Sequence, residues 1–189
     1  METRSGSTRL HEFFRTMARK SFAELGVGDE VVVGYVAAVM TEFARADRLY
    51  ALYTESGRAV DSVVRILLET RATPTDTRSL VRAREMRKYV GDYTLFMSGL
   101  FRTHIEQRGA LDYYLEEGRR AYWAVSEFDL TLYRAGFLFF QQLSKNFEYY
   151  SGALDYMRKA YFAPGSGASP FTQFLKQVEG WITSGLSDN

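Results

Sequence analysis

The residues able to do chemistry are few. Among 189 residues there are two histidines, His11 and His104, and no cysteine. A chain without thiols has no Cys-ligated zinc, no iron–sulfur cluster and no thiolate nucleophile. A ferritin-like di-iron centre needs Glu-x-x-His on two helices plus two further glutamates. His11 is followed at once by Glu12, and His104 lies just ahead of Glu106, so that spacing is missing. Gly165-Ser166-Gly167 sits in a Gly/Ser/Pro-rich stretch with no strand before it, so it is no nucleophile elbow. Neither phosphate-cradling glycine motif is found. No catalytic residue, metal site or cofactor is expected.

Carboxylates, tyrosines and arginines remain. Asp47 falls between Phe43 and Tyr50 at helical spacing, Asp92 opens an apolar segment, and Asp112 precedes Tyr113 and Tyr114. Each suits first a helix N-cap or a buried ion pair, and the lesser alternative is the acid of a ligand site. The basic run Arg78, Arg82, Arg84, Arg87 and Lys88 is offset only by Glu85. On a helix Arg84, Arg87 and Lys88 share one face, either solvated or offered to an acidic protein partner. The net charge of +1 argues against nucleic acid, which calls for a strongly basic field.

Residues 89–162 hold 19 of the 29 aromatic residues. Rings bury large areas, so the plain reading is the core of a bundle. The alternative is an aromatic-lined pocket for a small apolar ligand, built from Tyr93, Phe96, Tyr113, Tyr122 and Phe137 with Asp92 and Asp112. His104 follows Leu100 and Phe101 at helical spacing and could serve such a pocket as axial ligand to a flat group such as haem. Gly91, Gly99, Gly118, Gly136 and Gly152 lie in or beside helical patterns, where glycine weakens a helix unless something must come close to the backbone.

The elements that would position these groups read as helices. The three prolines, Pro74, Pro164 and Pro170, leave two long spans free of helix breakers. Apolar residues at helical spacing mark helices over about 8–25, from Asp29 to Ser56-Gly57, and over 58–69. Another starts near Thr77 and either runs on through Gly91-Asp92 to Phe101 or kinks there. A polar stretch over 102–109 precedes helices over 110–125, 130–147 and 152–162. Residues 164–170 read as a linker, and Phe171, Phe174, Leu175 and Val178 form the stripe of a last helix at 171–189 that docks on the bundle or on a partner chain.

The segment Gly91-Asp92-Tyr93-Thr94-Leu95-Phe96-Met97-Ser98-Gly99-Leu100-Phe101, with Asp112-Tyr113-Tyr114, Gly118 and Ala121-Tyr122, resembles a family of uncharacterised bacterial all-helical proteins. The resemblance covers roughly residues 80–160. It implies a helical fold and no established activity.

The expectation is therefore an all-α single domain, an irregular antiparallel bundle of about seven or eight helices over 1–163. The polar N-terminus has no apolar core of a signal peptide, and Leu130–Leu143 is too short and polar to span a bilayer. A cytoplasmic location follows as the default. The expected role is a non-catalytic interaction, scaffold or regulatory protein, homodimeric, that pairs through Arg84, Arg87, Lys88 and the stripe Phe171, Phe174, Leu175 and Val178.

Overall fold

The computed structural model describes residues 3–44 and 76–162. Among the described residues every regular element is a helix: α1 Thr3–Glu24, α2 Glu30–Phe43, α3 Thr77–Leu100, α4 Arg102–Glu106, α5 Leu111–Thr131, α6 Phe137–Lys145 and α7 Phe147–Tyr161. The all-α bundle class expected from the sequence is what the chain adopts. Contacts divide the chain into two compact units, Met1–Ala59 with Ala153–Asn189, and Val60–Gly152, where length alone suggests one domain. The expected helix over 58–69, the linker 164–170 and the stripe Phe171, Phe174, Leu175 and Val178 lie outside the described residues, as does Asp47.

The first unit is built on the α1–α2 hairpin. Gly26 stops α1 with φ +81, a value that favours glycine. The amides of Gly26 and Val27 close back on Ala23 and Phe22. Asp29 then caps α2 as its side chain accepts from the amides of Val31 and Val32. Arg19 grips Glu30 with two bonds of 2.8 and 2.7 Å across the hairpin. Phe14, Ala18 and Phe22 of α1 and Val32, Val33, Val36, Met40 and Phe43 of α2 are all buried. The end of α1 also holds the end of α7. Glu24 accepts hydroxyl protons from Tyr156 at 2.8 Å and Tyr161 at 2.6 Å, while Lys20 sits 4.7 Å over the Tyr161 ring.

The second unit is centred on α3 and α5, which run antiparallel. A capping box starts α3: Asp76 accepts from the Ser79 amide, and Ser79 accepts from the Asp76 amide. The helix then passes Gly91 and Gly99 without interruption. The polar stretch after it contains the short α4, in which Arg102 pairs with Glu106 at 3.1 Å. Two boundaries differ from the periodicity. Helix α5 continues to Thr131, and α6 starts at Phe137, because the amides of Tyr133 and Arg134 fold back on the carbonyls of Leu130 and Asp129. That is a Schellman closure, normally built on glycine, with Tyr133 in the left-handed position at φ 53. Further on, Asn146 interrupts the helical pattern: its side-chain amide donates to the Gln142 carbonyl at 3.1 Å, and α7 starts at Phe147 instead of Gly152.

Two glycines let the rings in. A Cβ on Gly91 would stand 2.6 Å from Tyr122 Cε1, and one on Gly118 only 2.1 Å from Phe147 Cζ. Around Gly152, by contrast, the space is open. Gly118→Ala is therefore expected to destabilise the protein by about 1–3 kcal/mol, overpacking outweighing the gain in helix propensity. Gly152→Ala, also inside a helix, is expected to stabilise it by about 0.5–1 kcal/mol. Urea denaturation of the two variants reads the opposite signs.

The Glu24 cluster generates a pH prediction. The bond donated to Glu24 is the main reason the Tyr161 hydroxyl is pushed up to about 12. The same bond, with that of Tyr156, holds the Glu24 carboxyl below its ordinary range. A raised tyrosine contributes stability that is complete below the unfolded value of about 10 and lost as pH rises through the folded one. A lowered carboxyl contributes stability present above its unfolded value and lost on acidification. The destabilisation caused by Tyr161→Phe should therefore shrink between about pH 10 and 12. Paired denaturation curves of the two proteins measure it.

Candidate functional site

The polar residues with most at stake lie between α3 and α5. Asp129 on α5 is 0% exposed. A carboxylate removed from water needs a cation and directed donors. Arg84 of α3 supplies both, with Nε at 2.6 Å from Oδ1 and an Nη2 at 3.1 Å from Oδ2. The paired carboxylate raises the Arg84 guanidinium above its ordinary range. Its remaining amine reaches Glu85 at 2.7 Å, and its plane lies 5.3 Å from the Phe140 ring centre. Gly136 leaves room beside this pair, since a Cβ there would stand 3.0 Å from Asp129 Oδ2.

Two turns along α3, Asp92 is also buried. Lys88 Nζ lies 2.6 Å from one oxygen, and the Tyr122 hydroxyl donates to the other at 2.8 Å. The two carboxylates thus bind the helices at two levels, and the ring of Tyr122 crosses the gap that Gly91 leaves open. Farther along α3, Ser151 of α7 donates to Ser98 at 2.9 Å.

The sequence-expected residues fall into distinct places. Tyr93, Phe96 and Tyr122 are buried rings. Tyr93 stacks on Tyr89 with an interplanar angle of 12° and leans on Tyr114, Phe96 meets Phe101, and Tyr122 meets Phe140 and Phe147. Burial drives the Tyr93 phenol well above its ordinary range. Tyr113 is exposed and meets Tyr114 edge to face. Phe137 is half-buried at the start of α6. Asp112 is exposed in the first turn of α5, where an acid complements the helix dipole. His104 lies on α4, half-buried, its imidazole held below the ordinary range first by burial and then by Arg108.

The basic face differs from the expectation. Arg84 and Lys88 turn inward to Asp129 and Asp92, because those buried acids require them, and this takes Arg84 away from any surface for an acidic partner. Arg87 is half-buried, and burial lowers its guanidinium. Arg78 and Arg82 are exposed.

Sequence reasoning missed Asp129. Its local signal is slight, an acid set between Phe128 and Leu130 with Glu127 just before, and nothing in the spacing points to Arg84. Tyr133 was missed as well, because no glycine marks the turn in which it takes the left-handed position. Among the described residues no group of three or more His, Asp or Glu side chains is placed to hold a metal ion, and no helix is long and apolar enough to cross a membrane. No protein-family model, curated protein or solved structure matches the chain.

Removal of one partner from a buried pair leaves the other charge stranded. Asp129→Ala should cost about 3–5 kcal/mol, whereas the joint change Arg84→Met with Asp129→Leu should recover most of that loss. Chemical denaturation of the single and double variants checks both outcomes.

Proposed function

We propose that this chain is a non-catalytic helical interaction protein that pairs with a second copy of itself. The observation that carries this reading is the apolar surface around the α5–α6 turn. Tyr133 is 98% exposed, with Leu130 at 49% and Leu138 at 64% close by in the chain. Tyr133 also holds a left-handed backbone at φ 53. That conformation costs an ordinary residue roughly 1–2 kcal/mol, and glycine would relieve it. A large ring kept at such a cost, pointed at water beside two exposed leucines, has the character of an interface anchor. A two-fold contact would set the patch against its own copy, the simplest arrangement for a homo-oligomer.

The aromatic pocket for a small apolar ligand is favoured less. Tyr93, Phe96 and Tyr122 are buried against neighbouring rings and against Gly91, which is how rings fill a core. Arg87 and the stripe Phe171, Phe174, Leu175 and Val178 remain further candidates for the partner surface.

Tyr133→Gly separates folding from association. It should stabilise the fold by about 1 kcal/mol while weakening the dimer. Sedimentation equilibrium across a range of protein concentrations should give a dimer for the native chain and a weaker one for Tyr133→Gly and Leu138→Ser. A monomer throughout, or an equally strong dimer in both variants, would overturn the proposal.

A further inference from the structure

The outer face of α5 carries its side chains at regular spacing. Asp112, Glu116, Arg119, Trp123, Glu127 and Leu130 follow one another every three or four residues, so they fall on one stripe. The stripe lies opposite the face that buries Tyr122, Val125 and Asp129. Trp123 stands in its middle, 40% exposed. An indole this open adds little to the core of its own chain and suits an anchor for another. The ring is also held in place, since its Nε1 donates to Glu127 at 3.1 Å. A side chain ordered beforehand loses less freedom when it docks. At its far end the stripe reaches Leu130 and the exposed turn with Tyr133. At its near end lies the exposed Tyr113.

The charges on this stripe are arranged about the indole. Arg119 lies four residues before Trp123 and Glu127 four residues after it. At about 1.5 Å of rise per residue, each stands about 6 Å along the helix from the ring. Two copies of α5 set antiparallel about a two-fold axis at Trp123 therefore bring each Arg119 level with the partner's Glu127. Tyr113 and Tyr133 lie ten residues to either side of Trp123, so the same operation brings these exposed rings towards each other. A parallel two-fold pairing sets Arg119 on Arg119 and Glu127 on Glu127, like against like. The stripe is thus complementary to itself in one direction only. The present partner of Arg119 is local: Glu116 lies 2.7 Å away, with the two side chains 51% and 41% exposed. Such a pair is weak and leaves the guanidinium able to take a second carboxylate.

We propose that α5 packs antiparallel against α5 of a second copy of this chain, with Trp123 against its copy at the two-fold axis and Arg119 paired to the partner's Glu127 on both sides. This rests on the self-pairing reading above and gives the contact its face and its direction. The turn patch is one end of a face that runs the length of α5, and the whole face meets its copy. Burial of the two indoles supplies attraction, and the paired charges select the direction and the register.

The test is charge reversal in the full chain, read by sedimentation equilibrium at low salt. Arg119 and Glu127 are both exposed, so reversal at either should leave the fold intact. Arg119→Glu alone sets acid against acid, and Glu127→Arg alone sets base against base. Each should weaken the dimer about ten-fold or more. The double variant with both changes should regain it. At a concentration where each single variant is monomeric, an equimolar mixture of the two should form a dimer, because one chain then carries two acids and the other two arginines. Arg82→Glu, exposed on α3, makes the same change in net charge and should leave the dimer as it was. A dimeric native chain whose single variants pair as strongly, whose mixture stays monomeric, or which Arg82→Glu weakens equally would overturn this arrangement and leave the self-pairing reading standing. A monomeric native chain would overturn both.

Discussion

An acid with no access to water dictates where its cation must be, and in the second unit that acid is Asp129. Arg84 meets it with two nitrogens, so the contact fixes the distance between α3 and α5 and also their relative slide. Other contacts along the seam require the same slide. Gly91 has to face Tyr122, Asp92 has to reach the Tyr122 hydroxyl, and Tyr93 has to meet Tyr114. A displacement by one turn of either helix would set a ring against a side chain where only a hydrogen now fits. The ion pair need not add much net stability, since desolvation offsets attraction. Its contribution is to make one register far better than the others.

The two units solve the same problem by different means. In the first, helix ends do most of the joining: Arg19 with Glu30, and Glu24 with Tyr156 and Tyr161, all near the surface. Exposed pairs of this kind are individually weak, and the apolar seam of Phe14, Phe22, Val36 and Met40 carries the packing. In the second, charged and hydroxyl groups lie inside the seam itself. Deep polar contacts allow fewer alternative packings than an all-apolar interface.

How much of this was legible in the sequence depends on the range of the interaction. Local signals read well. Asp29 caps α2, Gly26 ends α1, and the proline-free span from Thr77 becomes one long helix. The glycines beside bulky residues did announce close approach at Gly91 and Gly118, though not which rings approach. Contacts distant in sequence did not read. Arg84 and Lys88 look like a solvated basic face until Asp129 and Asp92 are set opposite them, and spacing along a single helix does not reveal a partner 45 residues away. The break after Thr131 was hidden for another reason. A Schellman turn is ordinarily announced by glycine, and here the position is filled by Tyr133.

The seating of Phe147 against Gly118 has a consequence for how such a sequence can drift. The ring occupies the volume in which the first carbon of any other side chain would lie. Neither position is free to change by itself: a methyl at 118 demands a smaller residue at 147, and a smaller residue at 147 leaves a void that a methyl at 118 would fill. Descendants of this chain would therefore exchange the two residues as a pair. Gly152 has open space around it and could become alanine with no answering change elsewhere, so two helical glycines of the same unit carry entirely different evolutionary constraints.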